Sequence, residues 1–451
     1  MMATSTAADV TPLVRPGSLS DFGGPTEESL AREWVITHNR DWRFDSVIKS
    51  YFHWTGSRWK RDEQSLAFHL IGEHMRAAGT SKAPLGKASM ARGIDAFVQA
   101  NPALGIAHEI WDNDPFLLGT PGGTVDLRTG NIRKSEQADF MTRSTSVAPA
   151  EGQPSRWLQF MDECTGGDSD LARFLQRALG YCLTNSTREH ALFFAYGAGK
   201  NGKSVFLNTA SRIFGDYATT AAMDTFVSSH SDKHPTELAR LDGARLVAAS
   251  ETEEGRKWAE ARIKQLTGGD RIAARFMRQD YFEFLPRFKL FIVGNHQPVL
   301  HNVDEATRRR FNIIPFTQVP SKPDMDLEAK LEREHSQILA WMIEGAVDWY
   351  TNGLARPAAV DQATEAYFEA QDLAGQWIEE RCRVRSGALG GPKDLFESWR
   401  RFATENGEQV GTQKTLAQVL SKRGFHPVRT SQGRYWKGVE LLSTPQPSHV
   451  G

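Results

Sequence analysis

The chain has 451 residues, and its 54 Lys and Arg against 55 Asp and Glu give a formal charge of −1. Hydrophobic residues make up 40% and charged residues 24%, a globular composition that excludes wholesale disorder, collagen and coiled coil. The balanced total also excludes a polybasic protein, although it leaves room for a local basic surface. The length suggests about three domains.

The three cysteines, Cys164, Cys182 and Cys382, cannot build a disulfide framework or a zinc finger, and we interpret them as reduced thiols. Residues 1–20 lack the apolar segment of a signal peptide and are predicted to be a mobile tail. The apolar runs are far shorter than the ~20 residues of a membrane span. The sequence therefore predicts a cytoplasmic protein without a membrane partner.

The predicted elements fall into further segments along the chain. Residues 21–150 are predicted to form a mixed α+β domain that includes an aromatic hairpin at 51–60. Residues 151–190 form a helical connector in which Ser169 can cap a helix. Residues 191–320 alternate buried apolar strands with helices, which predicts an α/β core with a largely parallel sheet. A helical segment (321–371) and a separate small domain (372–445) follow.

One motif in the core carries a specific chemistry. The segment Gly197, Ala198, Gly199, Lys200, Asn201, Gly202, Lys203 and Ser204 matches G-x-x-x-x-G-K-[ST], between a predicted strand and a predicted helix. In this glycine-rich loop, backbone N–H groups can approach phosphates without Cβ clashes. Lys203 is expected to reach the phosphates and Ser204 to hold Mg²⁺, so ATP and Mg²⁺ are the predicted ligands. The alternative is a chance Gly/Lys-rich turn.

Polar side chains follow two further strands of the predicted sheet. Glu251 ends the strand at 245–250 and is our first choice for holding Mg²⁺ and polarising water. Glu253 lies on the same face of an extended chain and is second, although a solvated acidic turn explains it equally well. Asn295 follows the strand at 289–293 and can orient the attacking water, unless it only makes a turn.

Three arginines, Arg308, Arg309 and Arg310, precede another apolar strand. They could stabilise transition-state charge on a nucleotide in an adjacent subunit. The alternative is a basic, solvated turn.

The order and spacing of these motifs resemble a superfamily 3 helicase. More narrowly, they resemble the helicase part of the phage and plasmid primase-helicases, which are related to poxvirus primase-helicases. The resemblance rests on RLVAASETEEG (245–255), FKLFIVGNHQP (288–298) and VDEATRRRFNIIPF (303–316), and residues 112–149 resemble the domain that precedes this core. It implies a P-loop, AAA+-like core that forms a ring, usually hexameric, with ATP bound between protomers and 3′ to 5′ movement on single-stranded DNA.

The chain departs from this family in two respects. It is too short to carry a primase domain upstream, so primase activity is expected to be absent or supplied by another polypeptide. Asp112 and Asp114 form an Asp-x-Asp pair of the kind that binds two metals, but their context favours an Asx turn. The family has two arginines where this chain has three, and we favour Arg309 and Arg310 for the finger that acts on the neighbouring site.

DNA contacts are predicted in two places. Residues 255–310 carry twelve Lys and Arg against six Asp and Glu, and residues 271–284 are predicted to form a hairpin. In the resembling helicases such a hairpin lines the channel, which places Lys264, Arg275 and Arg278 against single-stranded DNA; the alternative is a solvated hairpin. The helix–helix–hairpin pattern of residues 372–445 predicts a winged-helix domain for duplex or forked DNA, with Lys414, Lys422 and Arg423 as contacts. A wing used for protein contacts is the alternative.

The function that these features predict is an ATP-dependent, ring-forming DNA helicase for the replication of a phage, prophage or plasmid in a bacterial cytoplasm. One rival is a P-loop kinase, which would need an acceptor pocket and a lid. The other is a DNA-binding replication initiator that uses ATP to assemble and has no strong unwinding activity.

Overall fold

The computed structural model describes residues 25–79, 85–228, 236–251, 256–275, 277, 280–300, 304–320, 323–406 and 410–442. The predicted tail, Glu253 and Arg278 therefore lie outside the described residues.

The N-terminal part of the chain contains, in order, α1 (Glu27–His38), β1 (Trp42–Asp45), β2 (Ser50–Trp54), β3 (Trp59–Arg61), α2 (Leu66–Ala78), α3 (Ala88–Gln99), β4 (Gly105–Ile106), β5 (Leu117–Thr120), β6 (Gly123–Asp126) and β7 (Ile132–Arg133). The predicted aromatic hairpin is confirmed, because β2 and β3 pair antiparallel. Helices α1, α2 and α3 bury Trp34, Ile71 and Ile94 in one hydrophobic cluster with the aromatic side chains of β1 and β2.

The central part contains α4 (Ser155–Thr165), α5 (Ser169–Leu183), β8 (Leu192–Tyr196), α6 (Lys203–Phe214), β9 (Ala218–Thr220), α7 (Thr236–Ala239), β10 (Leu246–Glu251), α8 (Glu260–Gly268), β11 (Ile272–Ala274), β12 (Phe282–Phe284), β13 (Lys289–Gly294), α9 (Glu305–Arg310), β14 (Phe311–Pro315), α10 (Leu327–Arg333), α11 (His335–Asn352) and α12 (Ala358–Gln371). Five of these strands form one sheet in the order β14-β8-β13-β10-β9, and every neighbouring pair is parallel.

Helices cover both faces of this core sheet, which explains why the sequences of its strands are continuous apolar runs. Along β8, Phe193 packs into the cluster that contains α4, α5, α6 and α11. Its neighbour Phe194 points to the opposite face and packs with α8 and α12. Because side chains alternate along a strand, one apolar segment contributes residues to the hydrophobic layers on both faces of the sheet.

Two helices outside the sheet, α5 and α11, cross at very short range. A Cβ at Gly180 of α5 would overlap the backbone of Gly345 and Ala346 on α11. Arg177 on α5 adds an ion pair to Asp348 on α11, with 2.6 Å between Nε and Oδ2. The predicted cap of α5 was one residue off: the Asp168 carboxylate, rather than Ser169, accepts the amides of the first turn.

The C-terminal unit, residues 372–442, contains α13 (Leu373–Arg381), β15 (Cys382–Gly390), α14 (Pro392–Glu405), α15 (Gln413–Lys422), β16 (His426–Thr430) and β17 (Gly433–Leu441). The predicted Thr412 cap of α15 and the hairpin of β16 and β17 are confirmed. Strand β15 was not predicted; it pairs with β17 and completes a three-stranded sheet over a separate core around Trp377, Leu395 and Leu416. Across all the described residues, no helix has the length and apolar character needed to cross a membrane.

Candidate nucleotide site and nucleic-acid contacts

The glycine-rich loop joins the end of β8 to the start of α6. Its backbone φ is positive at Gly199 (102°), Lys200 (56°) and Gly202 (85°). Gly202 is the N-cap of α6 and has no side chain to accept the amides of the first helical turn. The helix therefore presents N–H groups and the positive end of its dipole to the loop, which suits a bound phosphate.

Lys203 is held inside this loop and is only 5% exposed. Its Nζ donates to the carbonyl oxygen of Gly197 at 2.7 Å and to Oδ1 of Asn201 at 2.8 Å. Burial lowers the pKa of the Lys203 ammonium. An ammonium has three N–H donors, so one stays available for a phosphate oxygen. Ser204, the next residue, is exposed at the start of the helix.

The predicted strand ends meet at one edge of the sheet. Tyr196, the last residue of β8, pairs with Gly294 of β13, and Gly294 pairs with Glu251 of β10. Neighbouring strands lie about 4.8 Å apart, so the Glu251 backbone is about 10 Å from the start of the loop. Asn295 follows Gly294 directly and is exposed. The sheet therefore brings the loop, Glu251 and Asn295 to the same edge.

An open cleft of about 530 Å³ lies beside this edge. It is lined by Ser204 and Asn208 on α6, Thr220 on β9 and Ser250 on β10. The cleft gives access from solvent to the residue proposed to hold Mg²⁺. Within the described residues, no three His, Cys, Asp or Glu side chains cluster as a metal site of their own.

The three arginines lie at the opposite edge of the sheet. They end α9, and the next residue, Phe311, pairs with Leu192 at the first position of β8. The loop begins after the last position of β8, four residues along the strand, so about 13 Å of strand separates the two features. The chain therefore does not place these arginines at its own loop.

The three guanidinium groups differ in their surroundings. Arg308 donates to both carboxylate oxygens of Glu365 at 2.8 Å and lies over the Phe368 ring. Arg310 donates to the Ala306 carbonyl at 2.7 Å and to Thr267 at 3.2 Å.

Arg309 is exposed, and its side chain has no hydrogen bond or ion pair to another described residue. Its backbone carbonyl instead accepts from Arg356 at 2.7 Å. No sequence pattern indicated Arg356, since the contact joins positions 47 residues apart.

The predicted hairpin after α8 is confirmed as an antiparallel pair of β11 and β12. Its base is anchored by Ile272 and Phe284, which belong to the core cluster on one face of the sheet. Arg275, the residue after β11, is exposed, and its guanidinium carbon lies 4.9 Å from the ring centre of Tyr281.

Lys264, the third residue predicted to contact single-stranded DNA, lies on α8, which precedes the hairpin. There it forms an ion pair with Asp304, the N-cap residue of α9. Burial acts to raise the pKa of Asp304, but hydrogen bonds from Lys264 and Thr307 outweigh it and lower the pKa to about 2. Lys264 therefore links α8 to the N-terminus of α9, the helix that ends with the three arginines.

The predicted basic residues of the C-terminal unit are only partly available. Lys414 and Lys422 are exposed on α15. Arg423 instead forms an ion pair with Asp372, whose carboxylate also caps α13. A phosphate would have to compete with Asp372 for this guanidinium.

The Asp-x-Asp pair in the N-terminal part is structural. Asp112 accepts a hydrogen bond from the Thr142 amide at 3.0 Å, and Asp114 accepts one from the Phe116 amide at 2.9 Å. Asp114 also contacts Arg128 at 3.4 Å. These contacts are those of an Asx turn and a loop clamp, as the sequence context indicated.

Two known families match parts of the chain. Residues 29–166 match the family described as D5 N terminal like, and residues 195–310 match a family of unknown function. The second match contains the glycine-rich loop, Glu251, Asn295 and the three arginines.

Viral proteins named "putative helicase" are similar to the chain. One, from Acanthamoeba polyphaga mimivirus, is 24% identical over 324 residues, which are 65% of this chain and 34% of that protein. Another, from Frog virus 3, is 26% identical over 320 residues, covering 66% of this chain and 32% of that protein. The chain thus spans about a third of the length of these relatives.

The fold is that of a solved structure, the C-terminal region of NrS-1. The two superpose with a TM-score of 0.54 at 11% sequence identity, covering 92% of this chain and 99% of that one. This likeness concerns the fold. The relation to viral proteins named as putative helicases rests on the sequence matches, and the D5-like N-terminal segment rests on the family match to residues 29–166.

Proposed function

We propose that this chain is an ATP-dependent DNA helicase of superfamily 3 whose nucleotide sites are completed between neighbouring subunits of a ring, usually a hexamer. The observation that carries the proposal is the distribution of groups on the core sheet. The glycine-rich loop, Glu251 and Asn295 share one edge, whereas the exposed Arg309 lies at the other. One protomer alone supplies an incomplete site.

Each group has a defined role in ATP hydrolysis. The amides of the loop and the Lys203 ammonium bind the phosphates, and Ser204 with Glu251 would hold Mg²⁺, which supplies positive charge to the phosphate oxygens. Glu251 polarises the attacking water, with Glu253 as the second candidate, and Asn295 orients it. Arg309 of a neighbouring subunit stabilises the charge that develops on the transferred phosphate.

Arg309 is the preferred finger because of its contacts. The guanidinium groups of Arg308 and Arg310 are engaged inside their own protomer, and both would have to break hydrogen bonds to reach a neighbour. The Arg309 side chain has no hydrogen bond to another described residue that it would have to break, and Arg356 holds the Arg309 backbone through its carbonyl. The cleft beside Ser204 offers the space through which this side chain can enter.

DNA is proposed to contact two surfaces. The hairpin of β11 and β12, with Arg275 and Arg278, grips single-stranded DNA in the channel, and its anchored base lets it follow movements of the sheet. The C-terminal unit is proposed to act as a winged helix on duplex or forked DNA through Lys414 and Lys422. A separate primase or polymerase would provide primers. The viral origin of the named relatives supports a role in the replication of a mobile element.

The first test removes the lysine ammonium. Lys203→Ala should reduce ATP hydrolysis by about 100-fold or more and abolish strand displacement on forked DNA, since positioned charge is the main source of catalysis in phosphoryl transfer. Lys60→Ala, an exposed lysine on β3, is the matched control and should behave like the wild type.

Lys203→Ala should still be folded and melt in a cooperative transition, although the oxygens of Asn201 and Gly197 lose their hydrogen-bond partner. Undiminished hydrolysis by a folded Lys203→Ala protein would refute the site. Hydrolysis without any strand displacement by the wild type would favour the initiator that uses ATP only to assemble.

A further inference from the structure

The side chain of Asn201 occupies an unusual place for a variable position of the glycine-rich loop. It is 2% exposed, although the residues before it, Ala198 and Lys200, are exposed. A buried carboxamide needs hydrogen-bond partners, because an unpaired one costs about 1–3 kcal/mol. Its partners therefore indicate what it does.

The two ends of the amide have different partners. Nδ2 donates to the backbone carbonyl of Phe316, the residue that follows β14. Oδ1 accepts from Nζ of Lys203 at 2.8 Å. The reverse orientation would place an oxygen against the Phe316 carbonyl and an NH₂ group against an ammonium, so the network fixes the amide in one orientation.

Phe316 is itself a fixed anchor. Its amide donates to the Tyr196 carbonyl at 2.8 Å, which continues the pairing of β14 with β8 beyond the last strand residue. Its side chain is buried against Phe206 of α6, with 5.8 Å between ring centres. Although Asn201 is a residue of the loop, its side chain is therefore tied to the core sheet through the residue that follows β14.

The first glycine of the loop is explained by the same contact. A Cβ at Gly197 would overlap both Nδ2 of Asn201 and the carbonyl oxygen of Phe316. At this position glycine makes room for the amide rather than for a phosphate. The Gly197 carbonyl is at the same time the second acceptor for Lys203.

We infer that Asn201 is the positioning residue for Lys203: it ties the ammonium to the end of β14 and so presents its remaining N–H to the phosphates. This inference rests on the proposed function and deepens it. Asn201 acts through Lys203 and does not itself have to touch the nucleotide. Its removal should therefore matter only when the lysine is present.

A double-mutant cycle on nucleotide binding tests this dependence. Titration calorimetry with MgADP would measure Kd for the wild type, Asn201→Ala, Lys203→Ala and the double variant. Asn201→Ala should weaken binding by about tenfold in the wild-type background, as expected for a hydrogen bond to a charged group. It should change Kd less than twofold in the Lys203→Ala background.

The outcomes separate this inference from the proposed function. If Asn201→Ala weakens binding equally in both backgrounds, or not at all, the positioning role is wrong while the nucleotide site stands. If Lys203→Ala binds MgADP as tightly as the wild type, the proposed site itself fails. Should Asn201→Ala not fold, the same cycle is run with Asn201→Ser, whose hydroxyl cannot reach Lys203 and Phe316 together.

Discussion

Two buried cations, Arg245 and Lys289, lie side by side at the end of the core sheet that is opposite the glycine-rich loop. Neither forms an ion pair with a carboxylate of the described part of the chain. Lys289 Nζ donates to the carbonyl of Thr184, and Arg245 donates to that of Leu117 at 2.8 Å. Burial lowers the pKa of Lys289 to about 7.

This pKa makes a prediction about stability and pH. An unfolded lysine has a pKa near 10.4, so between about pH 7 and pH 10.4 the unfolded chain binds more protons at this site than the folded one. The contribution of Lys289 to the free energy of unfolding therefore rises with pH through that window, by at most about 1.4 kcal/mol per pH unit. The neighbouring Cys182 thiol, whose pKa burial raises to about 12, acts in the opposite direction above about pH 8.5.

The measurement is chemical denaturation of the wild type and of Lys289→Met at several values between pH 7.0 and 8.5. Because Cys182 and the other groups are common to both proteins, the difference isolates Lys289. The stability of the wild type relative to Lys289→Met should increase with pH. A flat difference would show that Lys289 is not buried as a titrating group.

At the residue scale, the sequence predicted the chemical groups of the site but not their partners. The motif was sufficient to predict that Lys203 and Ser204 lie at the start of a helix that follows a strand and a loop, because its spacing prescribes these places. The sequence could not distinguish Arg308 from Arg309, since the carboxylate that binds the Arg308 guanidinium belongs to Glu365, 57 residues away. The ion pair of Lys264 could not be predicted for the same reason, because its partner Asp304 is 40 residues away.

At the scale of elements, the crossing of α5 and α11 fixes the packing of one face of the core sheet. Gly180 and Gly345 allow the backbones to touch, and Arg177 with Arg173 binds Asp348 beside the contact. Hydrogen bonds from these arginines outweigh burial and hold the pKa of Asp348 well below its usual range. Close packing and charge thus act on the same helix pair.

Gly180→Ala should destabilise the protein, because the added methyl overlaps a helix backbone that cannot move without opening the core. Overpacking of this kind costs about 1–3 kcal/mol or more. Gly72→Ala on α2 is the matched control, since its Cβ would meet only the flexible end of Arg76 at 3.4 Å. At a helix position where a Cβ has room, a change from Gly to Ala is neutral or stabilises the protein by about 0.5–1 kcal/mol. Equal melting temperatures for the two variants would contradict the close crossing.

Elements that are apolar runs were predicted to within one or two residues. β8, β10 and β13 are buried on both faces, so their sequences carry the signal without ambiguity. β9, an Ala-Thr-Thr edge strand, and β15, most of which is exposed, have no such signal and were missed. Their pairing is imposed by neighbours in space, which the local sequence does not contain.

At the scale of the whole molecule, the common direction of the strands in the parallel core sheet determines which proposed site residues lie together. All carboxyl ends of its strands point the same way, so a loop after β8 and a helix before β14 must lie at opposite edges. This division follows from the order of the motifs along the chain combined with the parallel pairing of β14 and β8. The different contacts of the three arginines, on which the choice of Arg309 is based, are visible only in the structure.

The proposed assembly predicts complementation between two inactive variants. Lys203→Ala removes the ammonium of a subunit's own loop, and Arg309→Ala removes the group it lends to a neighbour. In rings that contain both variants, some interfaces pair an intact loop with an intact arginine. Mixing them should restore ATP hydrolysis well above that of either variant alone. A Lys203→Ala, Arg309→Ala double variant mixed with wild type serves as the control for subunit exchange.

The hydrolysis rate of the mixed Lys203→Ala and Arg309→Ala proteins is therefore the measurement that tests the shared nucleotide site most directly. We expect each variant alone to be nearly inactive and the mixture to recover a measurable fraction of wild-type activity that depends on the mixing ratio. Exchange of subunits without recovery would contradict a site completed by Arg309 of a neighbouring subunit.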